Sequence, residues 1–245
     1  MRLIRVYTDG ALAPGSVATV EGSAAEHVRR VLRLRAGDPV TLFNGDGHDY
    51  PGRVLAMRGG RVDVEIADRS GARAESPLAL TLVQGIARGE RMDLVMQKAT
   101  ELGVTGIVPV QTARSVVRLE RDAATRKAQH WRGVVVAACE QCGRARLPSL
   151  EPPGSLAAWL ARAPAEGVRR LQLDPAAGIS LVTAAAGATA LELLVGPEGG
   201  LDDAEREAAA AAGYLPCTLG PRVLRSETAA IAAIAVLQSV AGDLR

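Results

Sequence analysis

Aromatic side chains are scarce in this sequence, with two Trp, three Tyr and one Phe among 245 residues. Modules that grip single-stranded nucleic acid usually stack the bases on aromatic platforms, and this composition argues against such a binding mode. Any binding of nucleic acid would therefore depend on charge and shape.

Cysteine and histidine are also few, which limits metal and redox chemistry. Cys139 and Cys142 have the spacing of a metal or dithiol motif, but a zinc site needs four ligands and no second pair stands at a suitable distance. The three histidines are scattered, so they indicate neither a metal cluster nor a Ser-His-Asp triad. We expect free thiols, a reducing compartment and no bound metal.

Long apolar runs are absent as well. No stretch approaches the ~18 apolar residues of a membrane-spanning helix, and the first residues, Met1 to Val6, lack the apolar core of a signal peptide. The sequence therefore predicts a cytoplasmic protein without a membrane partner.

Lysine is the rarest charged residue, because Lys98 and Lys127 are the only two, and the net charge is just +2. A GC-rich genome explains a general preference for arginine, so local clustering is the better evidence. One cluster within seven residues predicts an edge that contacts phosphates; it consists of Arg29, Arg30, Arg33 and Arg35.

Residues 1–74 resemble a small β-barrel, because short alternating strands are separated by turns such as Asn44-Gly45-Asp46-Gly47. Ser23 and Glu26 have the spacing of a capping box for one short helix that carries the arginine cluster. The alternation stops near Gly71 to Pro77, where a polar linker appears. We therefore predict one domain over residues 1–74 and a second over 75–245.

Strands and helices alternate in the second domain, which is typical of an α/β fold with a mainly parallel sheet. The residues alone suggest an ordinary doubly wound sheet. The last helix, Ala229 to about Val240, is apolar on most faces, so it must be buried in its own domain or against a partner subunit.

Two glycine- and proline-bearing turns stand between an apolar strand and a helix start, at Val195–Gly200 and Leu219–Ala229. In open α/β sheets, ligands bind in crevices at this end of the strands. The first turn lacks the Lys-Ser/Thr ending of a P-loop and the spacing of a dinucleotide fingerprint. A purely structural turn is the alternative for the first, and simple helix capping by Ser226 or Thr228 for the second.

A third motif, Glu140-Gln141-Cys142-Gly143-Arg144-Ala145-Arg146, groups an acid, an amide and guanidinium groups at a predicted helix end. Basic residues that complement a helix C-terminus are the simpler explanation. A functional interpretation depends on the family resemblance that follows.

Six ordered segments together resemble the bacterial small-subunit ribosomal RNA uridine-N3 methyltransferases of the SPOUT (trefoil-knot) superfamily. The segments are HVRRVLRLRAG (27–37), QKATELGV (97–104), PVQTARS (109–115), EQCGRARLP (140–148), VGPEGG (195–200) and LGPRVLRSETA (219–229). The resemblance implies a PUA-like β-barrel that helps to bind RNA, and an α/β domain whose backbone forms a deep trefoil knot around S-adenosylmethionine. It also implies a homodimer that acts on 16S ribosomal RNA or the small ribosomal subunit.

The resemblance implies roles for individual residues. The catalytic candidates, for binding the uracil oxygens or accepting the N3 proton, are Arg144, Arg225, Glu140 and Glu227. The cofactor-binding candidates are Val195, Gly196, Pro197, Glu198, Gly199, Gly200, Leu219, Gly220, Val223, Leu224, Ser226 and Thr228. The RNA-binding candidates are Arg5, Arg29, Arg30, Arg33, Arg35 and Arg114.

Two other functions stay open at this point. A nicotinamide-dependent oxidoreductase would also use a parallel sheet, although its fingerprint is missing. A non-catalytic RNA-binding or ribosome-assembly factor would keep the barrel and the basic helix but would not need two matched turns.

Overall fold

The computed structural model describes residues 4–71, 75–115 and 121–244, with the side chain of residue 121 left out. The chain divides into two compact units. The first contains Met1–Glu75 and Val136–Leu147, and the second contains Ser76–Val135 and Pro148–Arg245. The first unit therefore takes a short segment from the middle of the chain.

The first unit is built on a five-stranded sheet. Its strands are β1 (Arg5–Tyr7), β2 (Val17–Val20), β3 (Pro39–Phe43), β4 (Tyr50–Arg58) and β5 (Arg61–Ile66). They lie in the order β1-β3-β4-β5-β2, with β1 parallel to β3 and the other pairs antiparallel. Because no pairing joins β1 to β2 among the described residues, the sheet is a half-barrel.

One face of this sheet forms the core of the unit, since alternate residues of β4 and β5 are buried. Leu42, Val54 and Val64 lie in this core together with Ala25 and Val28 of the helical segment. The period-2 pattern of the sequence therefore fixes which side of β4 and of β5 faces inward.

The helical segment of the first unit consists of α1 (Gly22–Glu26) and a π-helical turn over His27–Val31. The capping box predicted at Ser23 and Glu26 is wrong, because the N-cap is Glu21 and makes no side-chain capping bond. The Glu26 carboxylate pairs with Arg30 at 2.8 Å instead of reaching back to the helix start.

The second unit alternates strands and helices, as the sequence predicts. Its strands are β6 (Ala79–Gly85), β7 (Gly106–Gln111), β8 (Ser149–Leu150), β9 (Gly154–Ser155), β10 (Arg169–Leu173), β11 (Ala190–Val195) and β12 (Leu215–Cys217). Its helices are α2 (Glu90–Glu101), α4 (Leu156–Leu160), α5 (Leu181–Ala185), α6 (Asp203–Ala211) and α7 (Ser226–Ala241). Between β7 and β8, α3 (Arg121–Cys142) begins in this unit and ends in the first.

All strand pairs in the second sheet are parallel, in the order β12-β10-β11-β6-β7-β8 with β9 also paired to β7. The central strands β6 and β11 are almost continuously buried, as expected for a parallel sheet covered on both faces. After β9 the chain crosses to the other side of β6, where β10, β11 and β12 lie, so the strand order reverses between β6 and β11. Such a reversal opens a crevice at the carboxyl ends of the strands.

The apolar C-terminal helix α7 packs within its own unit against α2 and α5. Ala233, Ile234 and Leu237 are fully buried. Gln238 is buried among them and accepts a hydrogen bond from the Ser76 hydroxyl at 2.6 Å. Packing within the unit therefore covers this part of the helix. No described helix is long and apolar enough to cross a membrane.

Candidate functional site

A cavity of about 650 Å³ lies at the carboxyl ends of β10, β11 and β12. Three loops form its walls: the aspartate loop (residues 172–175), the glycine loop (195–201) and the arginine loop (218–226). Arg91, Arg206 and Ala229 complete the lining, while residue 221 does not take part. The two turns that the sequence singles out therefore belong to one site.

The glycine loop lies directly against the end of β6. A Cβ atom on Gly85 would stand 2.5 Å from both the backbone nitrogen and Cδ of Pro197, so only glycine permits this approach. Gly200 has a φ of +68°, which side chains rarely adopt, and its N–H donates to the Pro197 carbonyl at 2.9 Å. The glycines thus fold the loop into a tight turn that presents backbone groups to the cavity.

Ser226 joins the glycine loop to the arginine loop. Its hydroxyl donates to the Gly196 carbonyl at 2.5 Å and accepts from Gln84 Nε2 at 3.0 Å. Gln84 is fully buried at the end of β6. The relative position of the two loops is therefore fixed by one hydroxyl and a buried amide.

Arg91 links the same two loops through carboxylates. Its Nη1 lies 3.0 Å from Glu198 Oε1 in the glycine loop, and its Nε lies 3.8 Å from Glu227 Oε1 in the first turn of α7. Glu198 also accepts the backbone N–H of Arg88 at 3.0 Å. Burial raises the pKa of Glu198, but these hydrogen bonds and the Arg91 charge outweigh it and hold the pKa below its usual value. Glu198 is therefore ionised at neutral pH.

The cavity wall also carries guanidinium groups with no partner among the described residues. Arg222 and Arg225 are both exposed and line the cavity. Arg206 is different, because it donates to the Leu201 carbonyl at 2.7 Å and pairs with Asp203. Arg222 and Arg225 are thus available to an anionic or carbonyl-bearing ligand.

Eleven of the twelve cofactor-binding candidates line this cavity, and Thr228 does not. Of the catalytic candidates, Arg225 lines it, whereas Glu227 is buried beside it with its Oε2 atom unpartnered among the described residues. The structure brings these residues together around one concave site.

Glu140 and Arg144 belong to the first unit. Glu140 Oε1 accepts the Tyr7 backbone N–H at 3.0 Å, and burial raises the pKa of this carboxyl group above its usual value. Arg144 Nε and Nη2 donate to Glu75 Oε2 at 3.0 and 2.7 Å. Both side chains are therefore held in defined positions.

The RNA-binding candidates fall into three environments. Arg29, Arg30, Arg33 and Arg35 are exposed on and after the helical segment of the first unit. Arg114 donates to the Gly199 carbonyl at 3.0 Å and so contacts the glycine loop. Arg5, in contrast, is only 6% exposed, and its donors are directed to groups inside the first unit. Its burial does not fit a direct contact with RNA.

Sequence reasoning missed the aspartate loop and Arg91. Asp174 and Pro175 directly follow β10, in the same way that the other two loops follow β11 and β12. Residues 172–175 contain no glycine, whereas the other two loops do. The sequence around Arg91 does not indicate a role in the site, because its side chain meets Glu198 only in the folded chain.

Cys139 and Cys217 are buried, whereas Cys142 is exposed. Burial raises the pKa of the Cys139 thiol to about 12, so this thiol stays protonated at neutral pH. Among the described residues, no three His, Cys, Asp or Glu side chains lie close enough to hold a metal ion.

Comparison with known proteins agrees with this architecture. A family profile described as RNA methyltransferase domain matches residues 74–238, and one described as RNA methyltransferase PUA domain matches residues 20–67. The Ribosomal RNA small subunit methyltransferase E of Buchnera aphidicola is 31% identical over 99% of this chain and 98% of its own length.

Two solved structures are similar over their full length. A putative methyltransferase from Legionella pneumophila in complex with S-adenosylmethionine is 39% identical, with a TM-score of 0.95 and complete coverage of both chains. A Ribosomal RNA small subunit methyltransferase E from Neisseria gonorrhoeae bound to S-adenosylmethionine is 34% identical, with a TM-score of 0.90 and the same coverage. The matching profiles and these similarities over the full chain show that the protein belongs to the small-subunit ribosomal RNA methyltransferase E family.

Proposed function

We propose that this protein transfers the methyl group of S-adenosylmethionine to N3 of one uridine in 16S ribosomal RNA, within the assembled small subunit. The observation that carries the proposal is the single cavity formed by the glycine and arginine loops. In two similar structures the proteins hold S-adenosylmethionine.

The cavity suits a cofactor of this kind. Its volume of about 650 Å³ lies within the range for small-molecule sites, roughly 300–1,000 Å³. Small residues such as Gly196 and Gly199 let a flat ring approach the backbone, whose N–H and C=O groups can then bind it. S-adenosylmethionine, when bound, supplies an electrophilic methyl group on a sulfonium.

The arginines supply positive charge for the target base. N3 of uracil is an imide nitrogen whose deprotonation spreads negative charge onto O2 and O4, which preorganised cationic donors stabilise. Arg225 is a candidate for this task because it is exposed at the cavity. Arg144 is the second candidate, with its guanidinium oriented by Glu75.

Glu140 is the proposed acceptor of the N3 proton, through a water molecule. Its raised pKa makes it a stronger base than an ordinary carboxylate, and the Tyr7 N–H fixes one of its oxygens. Glu227 then serves to orient Arg91 beside the arginine loop.

The exposed arginine cluster of the first unit is the proposed contact with RNA phosphates. N3 lies on the pairing edge of uracil, so the target nucleotide must be unpaired or turned out of its helix. Arg114 adds a positive charge next to the glycine loop. We leave Arg5 out of this set, and we propose that the protein works as a cytoplasmic homodimer.

The test uses small ribosomal subunits from cells that lack this protein. They are incubated with purified protein and labelled S-adenosylmethionine, and the modified nucleoside is mapped by mass spectrometry. We expect 3-methyluridine at one position, with naked 16S RNA labelled more weakly than the subunit. Label on another atom, or no label in either substrate, would refute the proposal.

A further inference from the structure

We propose that Arg5 and Asp49 are positioning residues for methyl transfer, because they fix the chain segment that carries Glu140 and Arg144. This inference rests on the proposed function. All the contacts that carry it lie within the first unit.

Arg5 and Asp49 form a buried ion pair. Arg5 Nη2 and Nε lie 2.6 and 3.2 Å from Asp49 Oδ1, and the two residues are 6% and 3% exposed. The guanidinium also lies over the Phe43 ring, 4.3 Å from its centroid. Ser70 secures the aspartate, because its hydroxyl accepts the Asp49 N–H at 3.1 Å. The arginine head group is therefore held on several sides.

The remaining donors of Arg5 bind the end of α3. Nη1 donates to the Cys139 carbonyl at 2.6 Å, and Nη2 donates to the Arg144 carbonyl at 3.0 Å. The Cys139 carbonyl also accepts the Gly143 N–H at 3.1 Å, so Arg5 adds a second donor to it, and a cation close to the C-terminus of a helix is favourable. Arg5 thus binds the backbone just before Glu140 and at Arg144 itself.

Three other contacts hold the same segment. Tyr7, two residues after Arg5, donates its N–H to the Glu140 side chain, and the Gly47 N–H donates to the Ala145 carbonyl at 3.2 Å. Glu75 binds the Arg144 guanidinium. Strand β1, the turn before β4 and Glu75 together therefore fix the backbone of this segment and the side chains of the two candidates.

A buried ion pair is a weak source of stability, because desolvation offsets much of the attraction. If packing were the only role, an apolar pair of similar volume would fill the space equally well. Only a planar guanidinium can bind a carboxylate and two separate carbonyls at fixed angles. Fixed orientation matters most for groups that must meet a reacting base, since a displacement of 1 Å can cost about 100-fold in rate.

The experiment is a double-mutant cycle on the full-length protein. Arg5→Met and Asp49→Asn are each combined with Arg144→Lys, and single-turnover methylation is measured at saturating S-adenosylmethionine and small subunits. We expect Arg5→Met to lower the rate constant about 10- to 100-fold. In the Arg144→Lys background the further loss should fall below about threefold, because residues that act as a unit are not additive.

Cofactor affinity is the second readout. The residues that line the cavity all lie in the second unit, so Arg5→Met should leave the calorimetric Kd for S-adenosylmethionine unchanged. Arg170→Met is the matched control: this buried arginine pairs with Glu192 and donates to the Ala212 and Arg162 carbonyls, in the second unit. The fold-loss in rate of the double variant, Arg170→Met with Arg144→Lys, should equal the product of the losses of the two single variants.

The possible results distinguish the proposed role of Arg144 in the reaction from the positioning role of Arg5 and Asp49. If Arg144→Lys alone leaves the rate unchanged, the proposed role of Arg144 fails, and the positioning role fails with it. If Arg144→Lys slows the reaction but Arg5→Met and Asp49→Asn multiply with it, only the positioning role is overturned. Should Arg5→Met fail to fold, Arg5→Lys and Asp49→Asn decide the question, since both preserve side-chain volume and polarity.

Discussion

Ser226 is the residue on which the shape of the cavity depends most directly, because its hydroxyl joins the Gly196 carbonyl to the buried Gln84 amide. Ser226→Ala would leave the half-buried Gly196 carbonyl without this donor, at a cost of about 1–1.5 kcal/mol. We expect a 5- to 10-fold weaker Kd for S-adenosylmethionine, measured by calorimetry, since about 1.4 kcal/mol is tenfold.

Ser155→Ala is the matched control for this change. The Ser155 hydroxyl caps α4 by accepting the Ala158 N–H at 3.1 Å, so its loss should cost about 1 kcal/mol of stability but no cofactor affinity. Equal affinities for the wild type and Ser226→Ala would show that the hydroxyl does not set the loop arrangement.

Glu140 gives a second prediction, for pH dependence. Burial raises its pKa in the folded protein, partly offset by the Tyr7 N–H, so its ionised form destabilises the fold above that pKa. The penalty disappears as pH falls through the folded pKa and below the unfolded value near 4.5. Glu140→Gln keeps an acceptor for Tyr7 but has no charge.

The free energy of unfolding of Glu140→Gln relative to wild type should therefore be more favourable at pH 7.5 than at pH 4.5. Denaturant titrations at both pH values measure this difference. A variant that gains stability equally at both pH values would contradict the assignment, since burial would then not act through ionisation.

At the scale of secondary-structure elements, the spacing of a capping box indicates the start of one helix correctly and the start of another wrongly. At the start of α6, Asp202 and Glu205 have the spacing of a capping box and form both of its reciprocal hydrogen bonds. The one predicted at Ser23 is wrong, because the helix begins earlier, with Glu21 as its N-cap, and Glu26 pairs with Arg30. Spacing alone cannot tell which partner an acidic side chain will choose when a cation lies one turn away.

The basic helical segment carries the third prediction. Arg29, Arg33 and Arg35 are exposed and have no side-chain partner among the described residues. We expect the triple change to glutamate to weaken binding to small subunits. The slope of log Kobs against log salt should become shallower by about 0.7 for each lost phosphate contact, or about 2 in total.

Arg162→Glu serves as the control for net charge, because this exposed arginine of the second unit already pairs with Glu151. It should leave the salt slope as it is in the wild type. An unaltered slope in the triple variant would place the RNA contact elsewhere.

At the scale of the whole molecule, the first unit is not a removable N-terminal domain. It includes residues 136–147, whose Cys139 and Ala145 are fully buried. We expect a fragment over residues 76–245 to leave this segment unprotected. Hydrogen exchange should be slow there in the full chain and fast in the fragment, and retained protection in the fragment would contradict this prediction.

Residue order predicts many strands and helices of the two units, but it does not indicate that residues 136–147 belong to the first unit. Alternating strands, glycine-bearing turns and the parallel α/β pattern all follow from local residue order. No local pattern shows that residues 136–147 join the first unit. Their position depends on hydrogen bonds from Arg5 to backbone carbonyls that lie more than 130 residues away along the chain. The trefoil knot and the homodimer stay predictions from resemblance.

By itself, the sequence identified two of the three loops that line the cavity, because glycine, proline and the ends of apolar strands are visible in the local residue order. It also identified the arginine cluster, because the exposure of these charged side chains does not depend on a partner elsewhere in the chain. Only the tertiary structure decided that Arg5 is buried, that Arg91 joins two loops and that Gln172 to Pro175 complete the cavity. Those features come from contacts between distant residues, and such contacts exist only after the chain has folded.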